Sequence, residues 1–453
     1  MIRCGAGRRQ KIDLDVGRAA ARSGSRGAAS APPTAEPSRP DSMPADSIIV
    51  APAAAVARRL RAALRGGYRS LRKPVVRALR NVPWYRRLAR LPRNDTVTPR
   101  QAAAAAGGRF VVVHAPSDVL LPFGEREQVP PRFAAVARFT TPETFVAELR
   151  DARLYGRAVA VIAADGRVVT NVTVHLKGKL EDHNVMGRLR LPPPERLAGT
   201  TAVLSAPGGN TYFHWLFDIL PRLELLRLAG HDLAAVDRFA VNATRHGFQR
   251  ETLERLGVAE GRVLQSDRAR HVECERMLLP SFPGTSDYMP RWVCDYLVRT
   301  LLDPAPADGA PAPERLYVSR QGGRKRRIHN APEVEALLQR LGFATVYPER
   351  HTVAEQARLF HGARVVVGLH GSGFANLVFC RPGAALVELH EPHPTRTTNA
   401  YWVLTRQCGV RYYGLEAPRA PSAAEQDLVV DARVLEATLR RAIAEDEGVV
   451  ARA

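Results

Sequence analysis

The chain has 453 residues, 45% hydrophobic and 25% charged, enough apolar material for two or three domains and too much for a wholly disordered chain. No run of eighteen apolar residues is free of a charge or breaker, which excludes a transmembrane helix. The five cysteines (Cys4, Cys274, Cys294, Cys380, Cys408) are scattered, without a CxxC pair; this excludes a disulfide scaffold or zinc ribbon and fits a reducing compartment.

Sixty-six Lys and Arg stand against 45 Asp and Glu, a net charge of +21, but 23 against 6 fall within the first 110 residues. The basic character therefore belongs to an N-terminal extension. The nearly balanced remainder lacks aromatic interleaving, zinc-ligand spacing or a helix-turn-helix signature, so nucleic acid is not an expected partner.

Residues 1–54 read as a disordered tail of Ala, Gly, Ser, Pro and Arg with too few large apolar side chains to order it. The tail has no apolar signal region, and Met43 is an alternative start. Residues 55–109 form a basic arm; its 55–92 stretch holds twelve Lys and Arg, no acid, and Trp84 and Tyr85. Such a segment either lies on an anionic membrane or packs against an acidic patch of its own protein.

From residue 110 short β-branched runs begin: Phe110–His114, Ala158–Ala163 and Val168–Leu176, the last two joined at Asp165–Gly166. A short helical piece is predicted over Pro142–Leu149, and together these suggest a small β-rich entry module. After residue 200 strand and helix patterns alternate. Strands are predicted at Ala202–Ser205, Phe239–Asn242 and Arg276–Pro280, and helices at Phe213–Leu228, Gln249–Leu256 and Trp292–Leu302. A Pro/Ala linker follows at 303–313. Beyond it, strands are predicted at Arg315–Ser319, Ala344–Tyr347, Arg364–Gly368 and Ala384–Leu389. Helices are predicted at Ala331–Leu341, at Val353–Phe360 and from about Phe374. This rhythm implies parallel sheets and a bilobal α/β enzyme with its ligand in a cleft. The divisions are 110–302 (entry module plus one α/β lobe), 303–313 (linker), 314–425 (second lobe) and 426–453 (C-terminal helix and tail).

Three stretches carry chemistry. In VVVGLHGSGFAN an apolar strand runs into His370-Gly371-Ser372-Gly373 and a helix start, where backbone N–H groups can approach a phosphate. His370 could donate to a phosphoryl oxygen, and Asn376 could hold the loop or touch the ligand. The turn is neither a Walker A loop nor a nucleophile elbow. In RQGGRKRRIHN five cations follow a strand end, and Arg320 and Arg327 are the best placed to neutralise a diphosphate. In GGNTYFHWLFDILPRL, His214 and Asp218 lie four apart on one helix face. An Asp accepting from one imidazole nitrogen leaves the other free to take a proton.

As an ordered series these stretches resemble glycosyltransferase family 61, which includes capsular polysaccharide biosynthesis proteins and eukaryotic O-GlcNAc and xylosyl transferases. The matching residues are Asn210, His214, Trp215, Asp218, Pro221 and Arg222, then Tyr317, Ser319, Arg320, Arg327 and Asn330. Glu355, Gln356, His370, Gly371, Gly373, Asn376, Pro382, Gly383 and Glu388 complete the series. The resemblance covers roughly residues 110–415 and is densest over 315–390.

It implies a GT-B fold of two Rossmann-like lobes, an inverting mechanism, a nucleotide-sugar donor, a saccharide acceptor and no required metal or other cofactor. Donor binding would fall to Arg320, Arg327, His370, Gly371, Ser372, Gly373 and Asn376, with Glu388 accepting from ribose hydroxyls. Asn210 and Arg222 would lie on the acceptor side. His214 would be the general base with Asp218 as its orienter, although Asp218 could itself be the base. The implied role is cell-surface polysaccharide synthesis in a bacterial cytoplasm, peripheral to the inner membrane. The alternatives are a non-catalytic scaffold or binding protein on the same fold, or nucleic-acid binding through the basic N-terminal arm.

Overall fold

The computed structural model describes residues 74–124, 128–174, 179–268, 270–285, 287–303, 312–320, 327–392, 399–420 and 427–450. The tail, the first part of the basic arm, most of the linker and Arg324, Lys325 and Arg326 lie outside the described residues.

The fold is mixed α/β. Among the described residues the strands form a nine-stranded mixed sheet, a five-stranded sheet and a two-stranded ribbon, Ser117–Leu120 with Arg138–Thr141. The five-stranded sheet is wholly parallel. Its order across the sheet is Ala344–Val346, Arg315–Val318, Val365–Leu369, Ala385–His390, Arg411–Glu416. Val365–Leu369 and Ala385–His390 are buried at every residue, which is why the first reads as an unbroken apolar run and the second is apolar but for Glu388 and His390. The chain reverses its direction of travel across the sheet between Arg315–Val318 and Val365–Leu369, and at such a reversal the loops at the strands' carboxyl ends part to form a crevice.

The larger sheet holds a parallel quartet in the order His271–Pro280, Glu195–Val203, Arg238–Val241, Val263–Gln265. It continues antiparallel through Thr144–Tyr155 to the smaller strands before it. The strands expected to form a separate entry module thus belong to the same sheet as the first α/β block. The helix expected over Pro142–Leu149 is instead the start of Thr144–Tyr155, which pairs with His271–Pro280 on one side and Phe110–His114 on the other. Helix-forming Glu and Leu in that stretch yield to burial between two neighbours. Strand Val168–Val169 ends sooner than its β-branched composition suggested.

The expected helix Phe213–Leu228 is interrupted. Tyr212–His214 leads into a π-helical turn, Trp215–Ile219, before Pro221–Leu228 resumes as α-helix. Pro221 has no N–H to give a carbonyl one turn earlier, and its ring would press on that carbonyl. The wider turn, with Leu220 N–H donating to the Trp215 carbonyl at 3.1 Å, relieves both problems.

One continuous apolar core joins the two sheets, running from Phe239 and Leu278 on one to Leu316, Val366 and Leu386 on the other. Polar contacts cross the same boundary. The Glu251 carboxylate accepts from Val353 N–H (2.8 Å) and Ala354 N–H (2.9 Å), capping the Val353–Gly362 helix. The C-terminal helix, Ala432–Val450, packs on the parallel sheet and completes its lobe. Cys274, Cys294, Cys380 and Cys408 are free and buried; burial raises the Cys274 thiol to about 11 and lifts that of Cys380 further. No described helix is long and apolar enough to cross a membrane.

Candidate active site

The site forms where the carboxyl ends of strands from both sheets converge. Glu195–Val203 runs into the 204–211 loop and then into the helix that presents His214. Gly208 in that loop has φ +80°, and a Cβ there would come within 2.7 Å of His214 Cδ2. Glycine is therefore required twice, for the left-handed backbone and for the space the imidazole fills. His214 Nδ1 donates to Asp218 Oδ2 at 2.7 Å, leaving Nε2 as the free acceptor. Burial alone would push this imidazole down; the hydrogen bond to Asp218 and the charges of Asp218 and Asp287 outweigh it and raise the pKa.

The second half stands at the reversal point of the parallel sheet. Arg320 follows strand Arg315–Val318, and its Nη1 donates to the His370 carbonyl at 2.9 Å. The guanidinium lies so close to the chain that a Cβ on Gly371 would sit 1.8 Å from Nη1. His370 Nδ1 donates to Glu388 Oε1 at 2.5 Å, and Glu388 Oε2 accepts from the Tyr412 hydroxyl at 2.7 Å. A second imidazole–carboxylate pair thus faces the first. A chain of rings links them: Phe213 packs edge-on against His214 (5.5 Å between centroids) and Tyr401 (5.8 Å), and Tyr401 lies 5.0 Å from His370.

Several expected ligand contacts are structural in this fold. Glu388 is 1% exposed and spent on His370 and Tyr412, so it orients the imidazole rather than meeting a ribose. Asn376 is wholly buried: its Oδ1 accepts from the Tyr212 hydroxyl (2.7 Å), and its Nδ2 donates to Gln356 Oε1 (2.7 Å) and the Gly373 carbonyl (3.1 Å). It straps the two sheets together. Arg222 is also buried; it donates to the Ser205 carbonyl at 2.9 Å and stacks 4.2 Å over Phe282, tying the loop that leads to His214 to the 281–290 loop. Burial lowers its guanidinium to about 10, against the raising charge of Asp218.

Arg327 is held by the Asp427 carboxylate through its backbone N–H (3.0 Å) and Nη2 (3.1 Å). Ser372 opens a 3₁₀ helix, Ser372–Phe379, where an α-helix was expected, and Gly373 packs against Val318 and Pro348. Asn210 keeps its Oδ1 buried and without a hydrogen-bond partner among the described residues.

Asp287 is the residue that spacing does not reveal. It sits on the loop after His271–Pro280 with φ +70°, within electrostatic reach of His214, His370 and Asp218. Among the described residues no group of three or more His, Cys, Asp and Glu is arranged to hold a metal ion.

The family model described as Glycosyltransferase 61 matches residues 212–387. The chain carries a glycosyltransferase 61 domain. The matched span contains His214, Asp218, Asp287, Arg320 and the His370–Gly373 turn, and so takes in the reversal point of the parallel sheet. Asn210 and Glu388 fall just outside it. Comparison with curated proteins gives no match. A domain of this family belongs to an enzyme that moves a sugar from a donor to an acceptor.

Proposed function

We propose that the domain is an inverting, metal-independent glycosyltransferase of GT-B type, taking its sugar from a nucleotide-sugar donor and building a cell-surface polysaccharide. Arg320 carries this reading. A guanidinium seated against the His370–Gly373 turn, at the reversal point of a parallel sheet, suits the two negative phosphates of a leaving nucleoside diphosphate. His370, fixed by Glu388, lines the same turn.

On the facing side His214 Nε2 takes the proton of an acceptor hydroxyl while Asp218 holds the ring and balances the imidazolium. The acceptor oxygen bonds to the anomeric carbon as the bond from that carbon to the phosphate oxygen breaks. The electron pair leaves on the diphosphate, and the carbon inverts.

A thermal-shift panel of UDP-, GDP- and CMP-sugars, with and without EDTA, tests the donor. One nucleotide class should raise the melting temperature regardless of chelator, and Arg320→Ala should remove that rise. No rise with any class defeats the donor assignment, and a rise lost in EDTA defeats metal independence.

The basic arm is proposed to rest on an anionic membrane. Where it is described, Trp84 and Leu88 are 68% and 67% exposed beside Arg87. Flotation with phosphatidylglycerol vesicles, but not with neutral ones, is the expected result, and equal flotation with neither excludes this contact.

A further inference from the structure

The larger sheet has its own reversal point. From Glu195–Val203 the chain moves to Arg238–Val241 on one side and returns to His271–Pro280 on the other. The two loops that open there are 204–211, which leads to His214, and 281–290, which holds Asp287. Arg222 pins them to each other.

The described residues of the 281–290 loop are tied to their surroundings. Tyr288 N–H donates to the Thr285 carbonyl at 2.9 Å, closing a turn with Asp287 at its third position. A Cβ on Gly284 would lie 2.5 Å from the Tyr288 carbonyl. Phe139 packs on Tyr288 at 4.9 Å, and Gln407 from the other lobe donates to the Met289 carbonyl at 3.1 Å. A left-handed backbone at a non-glycine residue costs about 1 kcal/mol and persists only where its surroundings enforce it.

The Asp287 carboxylate is thereby aimed at the site's interior. It lines a recess of about 10 Å³ with Phe213, Phe217, Asp218, Thr285 and Tyr288, room for a single hydroxyl rather than a whole ring, and no described residue is hydrogen-bonded to it. Two imidazoles and one carboxylate, His214, His370 and Asp218, act on it electrostatically, and Tyr288 feels its charge in turn. A carboxylate with no hydrogen-bond partner among the described residues offers two acceptor oxygens, which suits the hydroxyls of a sugar whose ring lies outside the recess.

We propose that Asp287 binds the acceptor sugar, accepting from the hydroxyl next to the attacking one and so turning the attacking oxygen toward His214 Nε2. The assignment rests on the transferase reading above and adds the residue that recognises the acceptor. Asp287 takes no proton in the reaction; His214 does.

The test compares the full chain with Asp287→Asn, which keeps the size and tolerates the left-handed backbone, and with Asp287→Gly, which relaxes it. Methyl gluco-, galacto-, manno- and xylopyranosides serve as probes in saturation-transfer NMR, alongside nucleoside-diphosphate thermal shifts. At least one glycoside should bind the parent, and both variants should weaken it by about tenfold or more, with the nucleotide shift unchanged. Removing the charge should also lower the His214 imidazole pKa in an NMR titration, which checks that the carboxylate stands beside the proposed base.

Equal glycoside binding in the variants, no glycoside binding by the parent, or an unmoved His214 titration overturns the proposal. Loss of glycoside binding in a chain that shows no nucleotide shift upholds Asp287 as a sugar ligand while defeating the donor reading.

Discussion

Gly371 lacks a side chain because the Arg320 guanidinium occupies the place of one. Its backbone is extended, with φ 175°, so an alanine there is conformationally acceptable and only the arginine must move. Gly371→Ala should therefore fold normally yet lower nucleoside-diphosphate affinity by about tenfold, roughly 1.4 kcal/mol, measured by titration calorimetry. The other residue-scale test concerns protonation. As the proposed base His214 works only when neutral, and its raised pKa places the acidic limb of kcat/KM above pH ~6.5. Asp218→Asn removes the hydrogen-bonded carboxylate and its charge, so the limb should shift to lower pH while kcat falls on the order of 10²-fold. Loss of all activity, with no limb left to measure, would point to Asp218 as the base, and an unmoved limb would assign it to a group other than His214 or Asp218. Both pairs of interest here, Arg320 with the glycine turn and His214 with Asp218, could be read from sequence because each partner lies in a short motif. Asp287 could not, because a lone acid in a loop acquires meaning only from the strand beside it.

Elements place these side chains, and their errors of prediction have particular causes. Pro221 was the visible sign that the helix bearing His214 could not run unbroken, but the site of the accommodation depends on how Trp215 is packed and bonded to Thr252. Thr144–Tyr155 looked helical because a fully paired central strand needs little β-propensity of its own. The helix Ala400–Cys408 and the strand Arg411–Glu416 were missed although Gly409, the left-handed cap of the helix, marks the boundary between them. Asn376 offers the element-scale test. Asn376→Ala removes the hydrogen bonds that strap the Ser372–Phe379 helix to Tyr212 and Gln356, and leaves buried partners unpaired. Stability should fall by about 2–4 kcal/mol in denaturant titration, whereas any shift produced by a nucleotide sugar should survive. Loss of that shift without loss of stability would return Asn376 to the ligand.

The whole molecule was expected as two blocks with a hinge, and two sheets are found. What the alternation of strands and helices cannot express is that both sheets turn helices toward one shared interior. Strand order, too, is invisible in a linear pattern, although it is strand order that brings Arg320 beside Gly371 and Asp287 beside His214. A shared interior, reinforced by the Glu251 cap, predicts a single calorimetric transition for the described body. Two resolved transitions would mean that the lobes melt independently and that their junction is weaker than its packing suggests.

The four interior thiols give the chain a practical property. Enclosure suppresses alkylation at all four, and burial also raises the Cys274 and Cys380 thiols, so iodoacetamide should modify these positions only as fast as the fold opens. With Cys4 changed to serine, a cysteine engineered at the rim of the 281–290 loop becomes a quiet-background label, able to report occupancy by fluorescence while the native thiols keep time on unfolding.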